Sequence, residues 1–306
     1  MKIDVLLNHM WETYTSLNPH IKEVLDLIES KESSKIINDH IALRTFNHKK
    51  VNKNKLAEFF INSGYNFVED LHFEQKKLDA SYYVHPNNKL PRIFISELRI
   101  QDFSTEFQNK INGILDGIDE TKFNNPLFLT NGTPWEKISY LDYKKVQKES
   151  DYAAWVLSHG YVANHFTVSV TDCTFFKNLE QINLFLKQNG FEINSSGGEI
   201  KGSSKVGLEQ SSIMAKNILV RFSDGDFEIP GCYYEFAYRY NGFNGFITNS
   251  ANHIFESTNE KKAWVSSLHI NNYWDFSSWS VFESLYKTEL SSDHLQWSNY
   301  IWLQLV

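Results

Sequence analysis

The feature that most restricts how this 306-residue chain can fold is an internal repeat. The stretch "HIALRTFNHKKVNKNKLAEFFINSGYNFV", starting at His40, matches "HFTVSVTDCTFFKNLEQINLFLKQNGFEI", starting at His165. Each opens with a histidine on a short strand. Each continues into an amphipathic helix and stops at a glycine followed by an aromatic residue, Gly64-Tyr65 and Gly190-Phe191. A glycine just past a helix end takes the left-handed conformation that other residues avoid. The His-to-Gly separations agree, 64 − 40 = 24 and 190 − 165 = 25. Both copies then run on as strands, the first ending in "PRIFISELRI" with Glu97, the second in "GCYYEFAYRY" with Glu235. Each copy therefore reads β-α-β-β-β, and two such units predict an α+β protein.

The repeats divide the chain into a single domain with five parts. Residues 1–37 read as helices, one of them "NPHIKEVLDLIES" with Asn18 as N-cap and Pro19 in the first helical position. Residues 38–115 are the first module. Residues 116–160 are a turn-rich connector ending in the helix "DYAAWVLSHG". Residues 161–245 are the second module, and 246–306 a Trp-rich C-terminal cap. The segment "NSSGGEIKGSSK" reads as a loop and lacks the Gly-Lys-Ser/Thr ending of a phosphate cradle. The net charge is 30 − 37 = −7, with no basic block, which argues against nucleic acid as a partner. Cys173 and Cys232 have no C-x-x-C spacing, so a reducing cytoplasm is expected. No run approaches the roughly 20 apolar residues a membrane span needs.

The chemistry is concentrated where the repeats begin. Side chains two apart on a strand share a face, so "NDHIALRTFN" puts His40, Ala42 and Arg44 together. An imidazole and a guanidinium separated by an alanine fill a core poorly but suit an anionic ligand. His40, its repeat partner His165, and Glu235 form a candidate metal set, two imidazoles and a carboxylate. On one side of a divalent ion such a set leaves the opposite positions open, an arrangement that suits non-haem Fe(II). Small residues follow each member two positions on, at Ala42, Thr167 and Ala237, with Ser169 beyond. Arg44 lies about 13 Å along the strand from His40 and can clamp a carboxylate at a distance from the ion. Metal and arginine together would measure the length of a dicarboxylate. Competing readings stand beside this one. Glu97 is a rival third ligand, and Glu235 could instead form a structural ion pair with Arg239 or Arg44.

The motifs "DHIALRTF", "RIFISEL", "GLEQSSIMA" and "GCYYEFAYR" together resemble the DUF1338 family, the 2-oxoadipate dioxygenase/decarboxylase group, over about residues 38 to 240. That family is related in fold to the vicinal oxygen chelate superfamily. The resemblance implies duplicated β-α-β-β-β modules forming an incomplete barrel with added helices. It implies that His40, His165 and Glu235 match the metal ligands, and that Arg44 matches an arginine that holds the substrate. Gln210 and Ser211 would lie near the pocket. The family uses Fe(II) and O2 to turn 2-oxoadipate into 2-hydroxyglutarate with loss of CO2, so Fe(II) is the expected cofactor, with another divalent metal able to occupy the site in a crystal. Two alternatives remain: extradiol cleavage or glyoxalase-type isomerisation, the latter favoured if Glu97 joins the site, and a non-catalytic store of metal or oxo acid. The oligomeric state is left open.

Overall fold

The computed structural model describes residues 1–248 and 253–258. Two helices lead, α1 (Ile3–Leu17) and α2 (Pro19–Glu29). α1 buries Leu6, Met10 and Tyr14, spaced four apart on one stripe. Pro19 opens α2 as expected, but the Asn18 side chain does not cap it. Its amide donates to the Tyr14 carbonyl at 2.9 Å, and its oxygen accepts from the Cys232 N–H at 2.7 Å. Asn18 thus pins the α1–α2 corner to the start of the last strand.

The first module is β1 (Asn38–Phe46), α3 (Lys53–Ile61), β2 (Asn66–Phe73), β3 (Leu78–Val84) and β4 (Arg92–Leu98). Three helices follow, α4 (Thr105–Asp116), α5 (Tyr140–Glu149) and α6 (Asp151–His159). The second module is β5 (His165–Ser169), α7 (Leu179–Gln188), β6 (Lys201–Ser203), β7 (Leu208–Ser212) and β10 (Tyr233–Arg239). A separate ribbon, β8 (Asn217–Phe222) and β9 (Gly225–Pro230), is inserted before its last strand.

One curled eight-stranded sheet, a half-barrel, carries both modules in the order β2-β3-β4-β1-β5-β10-β7-β6. Read outward from the centre, the second half repeats the first. β1 and β5 meet antiparallel in the middle, and each pairs in parallel with the last strand of its own module, β4 or β10. The helices match as well. Asn52 caps α3 by accepting from the Lys55 N–H, and Asn178 caps α7 by accepting from the Gln181 N–H. Gly64 and Gly190 follow with φ of +98° and +85°, the left-handed conformation anticipated for them.

Three features differ from the sequence reading. The inserted ribbon is additional. The segment read as a loop at 194–205 contains β6, which closes one edge of the sheet. The stretch before α6 holds α4 and α5 besides turns, each begun by a serine side chain, Ser104 or Ser139, that accepts from a first-turn N–H.

Helices α1, α3 and α7 contact side chains of the sheet's convex face, whereas α6 meets Arg44 on the histidine side. The Trp11 ring of α1 meets Phe166 edge-on at 5.0 Å. On the concave face Phe246 packs against Phe94 and Tyr82, with centroids 5.0 Å apart in each pair. The expected C-terminal cap falls for its greater part, 249–252 and 259–306, outside the described residues. Among the described residues no helix is long and apolar enough to cross a membrane.

Candidate metal centre

Strand register brings the three candidate ligands together. In the antiparallel β1–β5 pair, His40 stands opposite Thr167 and Ala42 opposite His165. In the parallel β5–β10 pair, Thr167 stands opposite Glu235. His40 and Glu235 therefore flank Thr167 from either side, and His165 lies two residues along on the same concave face. His40 Nε2 is 3.3 Å from Glu235 Oε1, His165 Nε2 is 3.2 Å from Glu235 Oε2, and the two Nε2 atoms are 3.4 Å apart. Donors held about 2.1 Å from a shared ion stand roughly 3.0–3.4 Å from one another, depending on the angle between them. The observed triangle fits, and His40, His165 and Glu235 could hold one divalent cation.

The electrostatics point the same way. All three are buried, Glu235 completely. Its carboxylate accepts one conventional hydrogen bond, from Gln210 Nε2 at 2.7 Å. A buried carboxylate so sparsely bonded is costly unless a positive charge sits with it. Burial disfavours protonated His40, yet the Glu235 and Asp39 carboxylates overcome this and hold its pKa above the ordinary imidazole value. Burial, together with repulsion from His40 and Arg44, drives His165 well below that value. The cluster attracts positive charge, and protonating both imidazoles is not an available way to supply it.

The residue preceding each histidine orients it. His40 Nδ1 donates to Asp39 Oδ1 at 2.8 Å, and His165 Nδ1 to Asn164 Oδ1 at 3.1 Å, donor roles assigned from those acceptors. Each ring's Nε2 is left for an ion. Asp39 is itself clamped. Arg239 reaches it through two nitrogens, at 2.6 and 2.9 Å, and Arg92 through one at 3.2 Å. Burial opposes the charge on Asp39, but Arg239 and His40 hold its carboxyl far below the usual range. Asp39 and Asn164 were not picked out from the sequence. The available signal was an Asp or Asn directly before each repeat histidine, in "NDH" and "ANH".

The remaining candidates sort by strand parity. Thr167 Oγ1 lies 3.1 Å from His40 Nε2, and Gln210 contacts Glu235 as described. Ser211 faces the other way and donates to Asn183 of α7; its neighbour Ser212 is on the concave face. Glu97 is also on the convex side, where it accepts from the Lys53 N–H at the start of α3. It takes no part in the triad, and the sheet explains why. His40 pairs with Arg92 as His165 pairs with Tyr233, so the counterpart of Glu235 is Phe94. Matching Glu97 to Glu235 by residue type is off by three positions. Arg239 braces Asp39 and forms no ion pair with Glu235.

Arg44 is buried, and among the described residues no acid pairs with it. Nη1 donates to Thr258 Oγ1 at 3.1 Å and Nη2 to the Phe255 carbonyl at 3.4 Å. Its guanidinium lies 5.0 and 5.2 Å from the ring centres of Tyr152 and Trp155 on α6. Nε has no partner among the described residues. A fixed cation of this kind, enclosed and unpaired, is a natural seat for an anion.

Residues 6–241 match the profile of the 2-oxoadipate dioxygenase/decarboxylase family. A rice protein, the chloroplastic/amyloplastic 2-oxoadipate dioxygenase/decarboxylase, is 36% identical over 285 residues, 83% of this chain and 78% of its own length. The crystal structure of the rice hydroxyglutarate synthase in complex with 2-oxoadipate superposes with a TM-score of 0.79 at 36% identity, covering 83% of this chain and 91% of that one. A glyoxalase-superfamily protein from Ralstonia eutropha shares the fold, with a TM-score of 0.69 at 17% identity over 79% of this chain and 84% of that one. The half-barrel fold is therefore shared with that glyoxalase-superfamily protein, and the chain belongs to the 2-oxoadipate dioxygenase/decarboxylase family.

Proposed function

We propose that this chain is a non-haem Fe(II) dioxygenase that converts 2-oxoadipate and O2 into 2-hydroxyglutarate and CO2. The observation that carries this reading is the buried His40–His165–Glu235 triangle with the unpaired Arg44 in the same half-barrel. The balance is complete without a further reductant. The six-carbon oxo acid loses one carbon as CO2, one oxygen atom enters the new carboxylate, and the other enters the hydroxyl.

When bound, iron with open coordination positions supplies the electrons and the Lewis acidity that O2 activation and oxo-acid chelation require. The chain's residues do the rest. His40, His165 and Glu235 hold the ion, their geometry set by Asp39, Asn164 and Gln210. Arg44 takes the carboxylate remote from the ion and so fixes which carbon faces the reaction. Phe246, edge-on to His40 at 4.9 Å, keeps water from that side. Isomerisation of the glyoxalase type is disfavoured, since Phe94 occupies the place of a second carboxylate. A reducing compartment is inferred from the unpaired Cys173 and Cys232.

The test is anaerobic loading with Fe(II), followed by an oxygen-electrode assay with 2-oxo dicarboxylic acids of increasing length. Oxygen uptake matched by CO2 release, greatest with 2-oxoadipate, is expected. Iron-loaded protein that consumes no oxygen with any oxo acid would mark a store instead of an enzyme.

A further inference from the structure

Tyr233 opens β10 directly opposite His165, so its side chain enters the concave face beside the triad. The two rings lie 4.6 Å apart at 32°, and the tyrosine is completely buried. Its hydroxyl has no hydrogen-bond partner among the described residues. That is unusual for a phenol so deep in a protein. Register places Arg44 at the same end. Ala42 stands opposite His165, and Arg44 is two residues further along β1, past His40 on the side where Tyr233 lies. The phenol sits next to the guanidinium. Arg44 Nε is also buried and unpartnered. Two buried donors thus adjoin, and among the described residues no carboxylate accepts a hydrogen bond from either.

We propose that Tyr233 is a substrate-binding residue whose phenolic O–H joins Arg44 in holding the distal carboxylate of the 2-oxo dicarboxylic acid. The assignment rests on the oxo-acid reading above. A carboxylate has two oxygens and can accept from a guanidinium and a hydroxyl together. Arg44 supplies the charge. Tyr233 adds a neutral donor on a stiff side chain, held by its tilted ring contact with His165, and so fixes where the carboxylate lies. A monocarboxylate of the same length would put a methyl group there and leave both donors unmet, the situation in which a polar site discriminates most strongly.

The test substitutes Tyr233→Phe, which removes a hydroxyl whose one polar neighbour among the described residues is the Arg44 guanidinium, so the thermal midpoint should fall little. In the iron-loaded protein the KM for 2-oxoadipate should rise about tenfold or more, while that for 2-oxohexanoate moves far less. Calorimetry on metal-free protein with adipate, a dicarboxylate lacking the keto group, should show the same loss. Equal changes in both KM values, or unchanged adipate affinity, would overturn the role of Tyr233. Wild-type protein that turns over no oxo acid, yet binds adipate more tightly than Tyr233→Phe, would overturn the dioxygenase reading and leave the carboxylate pocket standing.

Discussion

His40 and His165 are each useful because of the residue before them. Asp39 carries the greater load, since it bonds His40, balances Arg239 and touches Arg92. Asp39→Asn keeps the size and removes the charge. Metal affinity is expected to fall about 10- to 100-fold, measured by anaerobic metal titration. The unfolding free energy should drop on the order of 3 kcal/mol, because Arg239 is left buried with its ion pair broken. The imidazoles themselves were legible in the sequence through their equivalent places in two repeats. Side-chain direction was less so. Ser211 and Glu97 each lie on the wrong face, because one residue of register inverts a strand and residue type alone does not fix register. Asp39 was overlooked because its partner Arg239 is 200 positions away.

Among the elements, α6 does two jobs: it closes the Arg44 end of the half-barrel and supplies Tyr152 and Trp155 beneath the guanidinium. Its end depends on Gly160, at φ +67°, where an added Cβ would meet the Gly132 backbone at 2.2 Å. Gly160→Ala should cost roughly 2–4 kcal/mol in urea denaturation, through both strain and collision. α7 is tied from another direction. The Glu32 carboxylate, past the end of α2, accepts from the backbone of Thr174, Phe175 and Phe176 and from the Thr174 hydroxyl. Its partial burial works against the charge, but these bonds prevail and bring its pKa from 4.5 to about 2. The folded value is the lower one, so the stabilisation is complete above about 4.5 and disappears as pH falls towards about 2. Glu32→Gln should therefore be less stable than wild type at neutral pH, with the gap closing across that acid window, read from urea midpoints at several pH values. The helices α3, α6 and α7 showed in the sequence as periodic apolar runs ended by glycine. α4 and α5 were obscured by neighbouring Gly, Asn and Pro, and the β8–β9 ribbon has no counterpart in the first module to reveal it.

At the scale of the molecule, a duplication builds a pseudo-symmetric sheet and then uses it asymmetrically. Each half gives one histidine from its first strand. The second half alone gives the acid, since the matching place in the first is Phe94. Among the described residues this makes one site that could hold an ion, where the halves join at the β1–β5 seam. The repeat made this architecture readable before any coordinates, whereas the asymmetry required the strand register. The most direct test is an anaerobic Fe(II) titration of the wild-type chain beside His40→Ala, His165→Ala and Glu235→Ala, with bound metal counted after gel filtration. One ion per wild-type chain, and loss of that ion in all three variants whose thermal midpoints show them folded, is the predicted result. Stoichiometric iron retained by all three folded variants would contradict it.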